Sequence, residues 1–217
     1  MSIELFAHPF SSYCMKVLIA FYENDIAFTY RRIEEPGVGD ELAKLWPIKK
    51  FPVLREGERV VLETSTIIEY LQVRHPGPVR LIPDDPDLAI EARMLDRVFD
   101  NYVMTPQGKF VVDAMRPADS RDPAGVEDAR RMLETSYAWL DQRLQGRAWA
   151  VGDSFTLADC AAAPSLFYAD WTHRIPERYG ALTAYRARLL ERPSFARAIA
   201  DARPFRHYFP LGAPDRD

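Results

Sequence analysis

Strand signals in this chain of 217 residues stop before residue 75, and beyond residue 87 the apolar pattern has the period of a helix. The change falls on a breaker-rich stretch, His75-Pro76-Gly77-Pro78 through Pro83-Asp84-Asp85-Pro86, which has no periodicity of its own and reads as a boundary. The chain therefore divides into a mixed α/β part over 1–78, a linker over 79–87 and an all-α part over 88–217. It contains no internal repeat and no low-complexity segment.

The first part opens with Ile3-Glu4-Leu5-Phe6-Ala7, a β-prone run that ends at the breaker pair His8-Pro9. Cys14, Val17, Leu18 and Phe21 follow at the i, i+3, i+4, i+7 spacing of a helix packed on a core. Ser11 or Ser12 is placed to cap that helix, and its N-terminus favours a nearby anion such as a thiolate. A second strand over 28–33 completes a βαβ unit and predicts a parallel pair. A short helix over 40–46 follows the loop Pro36-Gly37-Val38-Gly39. Strands over 52–55 and 60–62 then form a hairpin about Glu56-Gly57-Glu58. Thr64-Ser65-Thr66 opens a last helix with Ile67, Ile68 and Leu71 inward and Thr66/Glu69 as a capping box. The order βαβαββα is that of a thioredoxin-like fold.

In the second part Leu88, Ala92, Leu95, Phe99 and Tyr102 mark a helix that Pro106 kinks. Val126, Ala129, Leu133, Tyr137, Leu140 and Leu144 mark a second, with a third over 156–169 and shorter ones over 182–190 and 194–202. Thr156 and Asp159 have capping-box spacing at the start of the third, and Cys160 after them is packed. Phe99, Tyr102 and Phe110 form an aromatic stripe that is core by default. Net charge is −4, so no basic surface argues for nucleic acid or anionic lipid. The apolar run 17–22 is far shorter than the ~18 residues of a membrane span, and Met1-Ser2-Ile3-Glu4 has no secretory pattern. Two cysteines make neither a disulfide framework nor a metal site, and the four histidines have no ligand spacing. A cytoplasmic location is the expectation.

Three motifs, in order, carry a resemblance that covers nearly the whole chain. Ser11-Ser12-Tyr13-Cys14-Met15-Lys16-Val17 resembles the start of the first helix in serine- and cysteine-type glutathione S-transferases of the cytosolic superfamily. Lys50-Phe51-Pro52-Val53-Leu54 is similar to that family's K-V-P-V-L, and Leu62-Glu63-Thr64 to its L-x-E/Q-S. Gly152-Asp153-Ser154-Phe155-Thr156-Leu157-Ala158-Asp159 matches its G-D-x-F-T-x-A-D. The departures are Trp46 and Lys49, where the family often has Asn and Gly, and Phe51 in place of Val.

The resemblance implies an α/β N-terminal thioredoxin-like domain followed by an all-α C-terminal helical-bundle domain. It implies glutathione as co-substrate, a small hydrophobic electrophile as acceptor, and a homodimer. Ser11 aligns with the residue that activates the sulfur, its hydroxyl favouring thiolate over thiol. A free thiol has a pKa of about 8.5, and a helix N-terminus with polar partners lowers it to roughly 3.5–7.5. Pro52 corresponds to a cis-proline that turns the Phe51 backbone toward the cysteinyl unit. Lys50 would meet the glycyl carboxylate, Glu63 the γ-glutamyl ammonium, and Thr64 the α-carboxylate. Tyr102 and Phe110 are expected to line the acceptor pocket. Ser11-x-x-Cys14 echoes a C-x-x-C redox pair without its attacking cysteine, and Cys14 lies on the apolar helix face, so it is read as core. Conjugation, peroxidase, isomerase and dehalogenase chemistry all stay open, as does a non-catalytic binding or regulatory module.

Overall fold

The computed structural model describes residues 2–217. The first part contains β1 (Ile3–Ala7), α1 (Ser12–Glu23), β2 (Thr29–Arg32), α2 (Val38–Leu45), β3 (Val53–Glu56), β4 (Arg59–Val61) and α3 (Thr64–Arg74). Its four strands form one sheet in the order β2-β1-β3-β4, with β1 and β2 parallel and the other two pairings antiparallel. This is the thioredoxin-like arrangement.

Side-chain alternation along β1 sets the two faces of the sheet. Ile3, Leu5 and Ala7 enter the large core with α1 and α3, while Phe6 turns the other way to meet Val38 and Leu42 of α2. Glu4, on that second face, holds Arg31 at 2.7 Å and Arg55 at 2.6 Å, and both arginines reach Glu41. An ion-pair network thus closes the thinner side of the sheet.

The second part is helical: α4 (Pro86–Phe99), α5 (Thr105–Ala114), α6 (Pro123–Arg143), α7 (Leu157–Thr172), α8 (Gly180–Glu191) and α9 (Pro193–Ala202). A 3-10 turn over Arg203–Tyr208 follows. α7 is buried along nearly its whole length and packs against α1, so one continuous core joins both parts of the chain. The segment between α3 and α4 is fastened to both sides. Gln72 exchanges two hydrogen bonds with the Ile82 backbone, and the Leu157 amide donates to the Leu81 carbonyl.

Two local expectations are corrected. Thr66/Glu69 is not a capping box, because α3 starts at Thr64 with Glu63 at its N-cap, and Glu69 instead pairs with Arg93 at 2.8 Å. Between α4 and α5 the chain does not simply kink at Pro106. It makes a π turn over Asp100–Met104, in which the Thr105 amide bonds back to the Asp100 carbonyl. Pro106 lacks the N–H that a regular helix would aim at the Tyr102 carbonyl, and Ser136 of α6 supplies the replacement donor at 2.9 Å.

Candidate functional site

The carboxyl end of β1 is where the two parts meet. Ser11 follows it as the N-cap of α1, with extended backbone angles and an Oγ that accepts the Cys14 amide at 3.4 Å. Capping uses only the oxygen's acceptor side, and the Ser11 hydroxyl is close enough to the Cys14 thiol to oppose the effect of burial on it. Cap and thiol-activating donor are therefore compatible roles for one serine. Cys14, one turn on, is fully buried, accepts the His8 amide at 3.4 Å, and has its thiol pushed up by burial to about 12. Such a sulfur is packing material, not a thiolate at neutral pH.

Sheet register brings the second motif beside the first. Phe6 pairs with Val53 in the antiparallel β1–β3 ladder, so Phe51-Pro52 lies alongside the exit of β1 that leads to Ser11. The Phe51–Pro52 bond is cis. Lys50 is exposed, Phe51 half-buried and Pro52 buried. Lys49 has φ 58°, a left-handed conformation that glycine adopts without strain, which accounts for the Gly that the family often carries there. Glu63 is also left-handed, at φ 64° and ψ 125°, and is solvent-exposed just before buried Thr64 and the free amides of α3. Backbone held in such a sparsely populated region costs on the order of 1–3 kcal/mol and clusters at functional sites.

A buried charge cluster that sequence reasoning missed connects these pieces. Lys16 of α1, only 1% exposed, sits 2.5 Å from Asp96 and 2.7 Å from Asp100. Its ammonium also donates to Ser65 of α3 at 3.2 Å, and Ser65 donates to Asp96 at 2.7 Å. Arg97 closes the group, 2.7 Å from each aspartate. Burial raises the Asp100 pKa, opposed by the Lys16 charge. Burial works against the Arg97 charge, but Asp96 and Asp100 outweigh it and hold that pKa above its ordinary value. The α1 and α3 N-termini are thereby held next to each other. The sequence signal was a lysine inside the apolar run of α1 and two aspartates four apart beside Leu95 and Phe99.

Ser11 also stands at the edge of an apolar cavity of about 560 Å³. Phe10, Ser12 and Tyr13 continue its α1 side, and Tyr168 of α7 closes it, with a hydroxyl that donates to the Phe10 carbonyl at 2.8 Å. α5 presents Thr105, Gly108, Val111 and Val112 along one wall, extended by Met104 of the π turn and Met115 just past the helix, with Gln107 and Lys109 beside them. Tyr208, Phe209 and Pro210, from the C-terminal segment, cover the remaining side, and the Tyr208 hydroxyl donates to Glu34 at 3.0 Å. Burial raises the Tyr13 pKa, with the Asp100 charge adding to it and Thr105 opposing it.

Tyr102 and Phe110 are not in that lining. Tyr102 is 49% exposed on the π turn, and Phe110 is in the core under the Arg130 guanidinium. The π turn is the reason: an extra residue in one turn rotates the face that α5 shows, and Val111 and Val112 take the place expected of Phe110.

The family model for the glutathione S-transferase N-terminal domain matches residues 5–79, and that for the glutathione S-transferase C-terminal domain matches residues 103–193. The chain is 29% identical over 219 residues to FtsZ-localized protein A of Caulobacter vibrioides, covering 94% of each. It is 26% identical over 215 residues to a probable maleylacetoacetate isomerase of Vibrio cholerae, covering 94% of this chain and 98% of the relative. Among solved structures it is similar to a glutathione S-transferase of Methylobacterium radiotolerans in complex with glutathione sulfonate. That likeness has a TM-score of 0.79 and 28% identity, and covers 92% of this chain and 95% of the other.

Proposed function

The chain belongs to the cytosolic glutathione S-transferase superfamily, and from that premise we propose that it binds glutathione, stabilises the thiolate and transfers it to a small apolar electrophile. The observation that carries this reading is the Ser11 hydroxyl on a helix N-terminus at the edge of an apolar cavity. A sulfur placed there receives a hydrogen bond and the positive end of α1, both of which favour its anion. The catalysis asked of the protein is activation plus proximity.

The rest of the tripeptide fits the pieces around Ser11. The Phe51 backbone beside β1 offers a strand-like edge to the cysteinyl unit, and exposed Lys50 meets the glycyl carboxylate. Thr64 and the α3 amides take the α-carboxylate. Three carboxylates, Glu63, Asp96 and Asp100, face two cations, Lys16 and Arg97, which leaves one negative charge for the γ-glutamyl ammonium. The protein is cytoplasmic and homodimeric in this reading.

A second reading, a glutathione-binding regulatory module, is favoured by one observation, the near full-length similarity to a protein named for its localisation with FtsZ. A glutathione-affinity pull-down followed by conjugation assays on a panel of aryl halides, enones and epoxides tests the choice. Capture with turnover supports the transferase. Capture without turnover on the whole panel supports the module, and no capture sinks both.

A further inference from the structure

Ser11 stands at the end of a turn, His8-Pro9-Phe10-Ser11, that is closed by the Ser11 amide donating to the His8 carbonyl at 3.0 Å. Pro9 brings a fixed φ and no N–H, so the Phe10 amide is the one backbone donor inside the turn. It donates to the His8 ring, where Nδ1 accepts it at 3.1 Å. A side chain that accepts the amide two residues on is the device Asn and Asp use ahead of a proline turn. Histidine does the same here and adds a second nitrogen. Its Nε2 lies 3.2 Å from Glu34 Oε1, the oxygen that also accepts the Tyr208 hydroxyl. An imidazole whose Nδ1 accepts an amide carries its proton on Nε2, where the carboxylate receives it. Burial works against the Glu34 charge, but the Tyr208 and His8 hydrogen bonds outweigh it and hold that carboxyl below its ordinary value. His8 is 8% exposed and packs edge-on against Phe205, with 4.8 Å between ring centres.

Resting on the transferase reading above, we propose that His8 is a positioning residue, whose Nδ1 holds the turn that sets the Ser11 hydroxyl against the sulfur. From the helix side, Ser11 is fixed by the Met15 amide on its carbonyl at 2.9 Å and by its own cap to Cys14. From the other side only the turn fixes it. The peptide joining Phe10 to Ser11 is held at its oxygen by Tyr168 and at its N–H by the His8 carbonyl, and the N–H of the preceding peptide is held by the His8 ring. Without an acceptor on residue 8, the half-buried Phe10 amide must rotate toward water and take the Ser11 backbone with it. A displacement of about 1 Å at an aimed group is enough to cost roughly a hundredfold in rate. Glu34 has two uses in this arrangement. It keeps the ring proton on Nε2, since the other tautomer would set N–H against N–H, and through Tyr208 it ties the turn to a wall of the acceptor cavity.

Two carboxamides separate the two ends of the ring: His8→Asn keeps an acceptor where Nδ1 stands, and His8→Gln keeps a polar group where Nε2 stands. The midpoint of the bound glutathione thiol, read by thiolate absorbance, should stay within about 0.3 pKa units of wild type in His8→Asn and rise by about 0.5–2 units in His8→Gln, the upper end being outright loss of the Ser11 bond. S-methylglutathione has no thiol to ionise, and its dissociation constants should agree within about twofold among the three proteins. An unmoved midpoint in His8→Gln, an equal rise in His8→Asn, or S-methylglutathione weakened in step with the midpoint overturns the proposal. Hydrogen exchange of the Phe10 amide needs no glutathione, and should be at least about tenfold faster in His8→Gln than in wild type and His8→Asn. If exchange follows that order but the wild-type thiol does not ionise below a free one, the transferase reading falls and the turn held by His8 stands. If the thiolate forms but the Phe10 amide exchanges equally fast in all three proteins, this proposal falls alone. Should His8→Gln not fold, long-range 1H–15N spectra of the wild-type imidazole decide: a proton on Nε2 supports the proposal, and one on Nδ1 overturns it.

Discussion

Asp159→Ala should be far more damaging than the loss of a helix cap. Capping substitutions cost typically ~1 kcal/mol. Asp159, however, has no exposed surface, and both its oxygens are in use. Oδ2 accepts the Thr156 amide at 2.8 Å, which is the capping box, and the Thr156 hydroxyl at 3.1 Å. Oδ1 accepts the Ala150 amide at 2.9 Å and the Tyr185 hydroxyl at 2.6 Å, tying α7 to the preceding loop and to α8. Alanine strands four buried donors, the Thr156 and Ala150 amides, the Tyr185 phenol and the Thr156 hydroxyl, each worth about 1–3 kcal/mol when left unmade. Water entering the vacated space recovers part of that, which leaves about 3–5 kcal/mol. At roughly 2–4 °C per kcal/mol for a chain of this size, the melting temperature should fall by at least ~6 °C and by as much as ~20 °C. Urea unfolding at constant slope should give the same loss. A shift of 2 °C or less would refute the hub and return Asp159 to an ordinary cap.

Three further outcomes follow from the same geometry. Cys14, with its thiol raised by burial to about 12, stays protonated at neutral pH, so iodoacetamide at pH 8 should leave it unmodified in the folded protein and label it in urea. Lys16→Met leaves Asp96 and Asp100 without their buried cation and should cost about 3–5 kcal/mol. The Asp100 pKa is already above its unfolded value, so the folded state binds more protons there and stability falls as pH rises through that window. Removing Lys16 raises that pKa further, so the variant's deficit should shrink on acidification toward pH 5, and a deficit that grows on acidification would contradict the assignment. Sedimentation at micromolar concentration should give a species of about twice 24.9 kDa, and a monomer would end the dimer reading.

The fold was legible because its signals are local. The alternation of Ile3, Leu5 and Ala7 against Phe6, the stripe of Cys14, Val17, Leu18 and Phe21, and the breakers after His75 each depend on a few neighbouring residues. Ser11, Pro52, Glu63 and Thr64 were legible as motif positions. The acceptor cavity was not, because its α5 face depends on the π turn at Asp100–Met104, which adds a residue that no 3.6-residue period anticipates. Nor does any periodicity mark Tyr208-Phe209-Pro210, which reach the cavity only through the return of the chain after α9. Lys16, Asp96 and Asp100 were hidden for another reason: a charge on an apolar stripe looks like an error in the pattern until its partners from another helix are in view.

Titration of the thiolate absorbance of bound glutathione against pH, in wild type and Ser11→Ala, tests the central claim most directly. In the wild type the bound thiol should ionise below the ~8.5 of a free thiol. Ser11→Ala removes a charge-assisted hydrogen bond of about 1.5–3 kcal/mol, which corresponds to an upward shift of roughly one to two pKa units at unchanged saturation. Thr64→Ala should instead weaken glutathione binding and leave the midpoint near the wild-type value. If Ser11→Ala leaves the titration where it was while Cys14→Ala abolishes turnover, the chemistry belongs to the protein's own sulfur and the assignment of Ser11 is wrong.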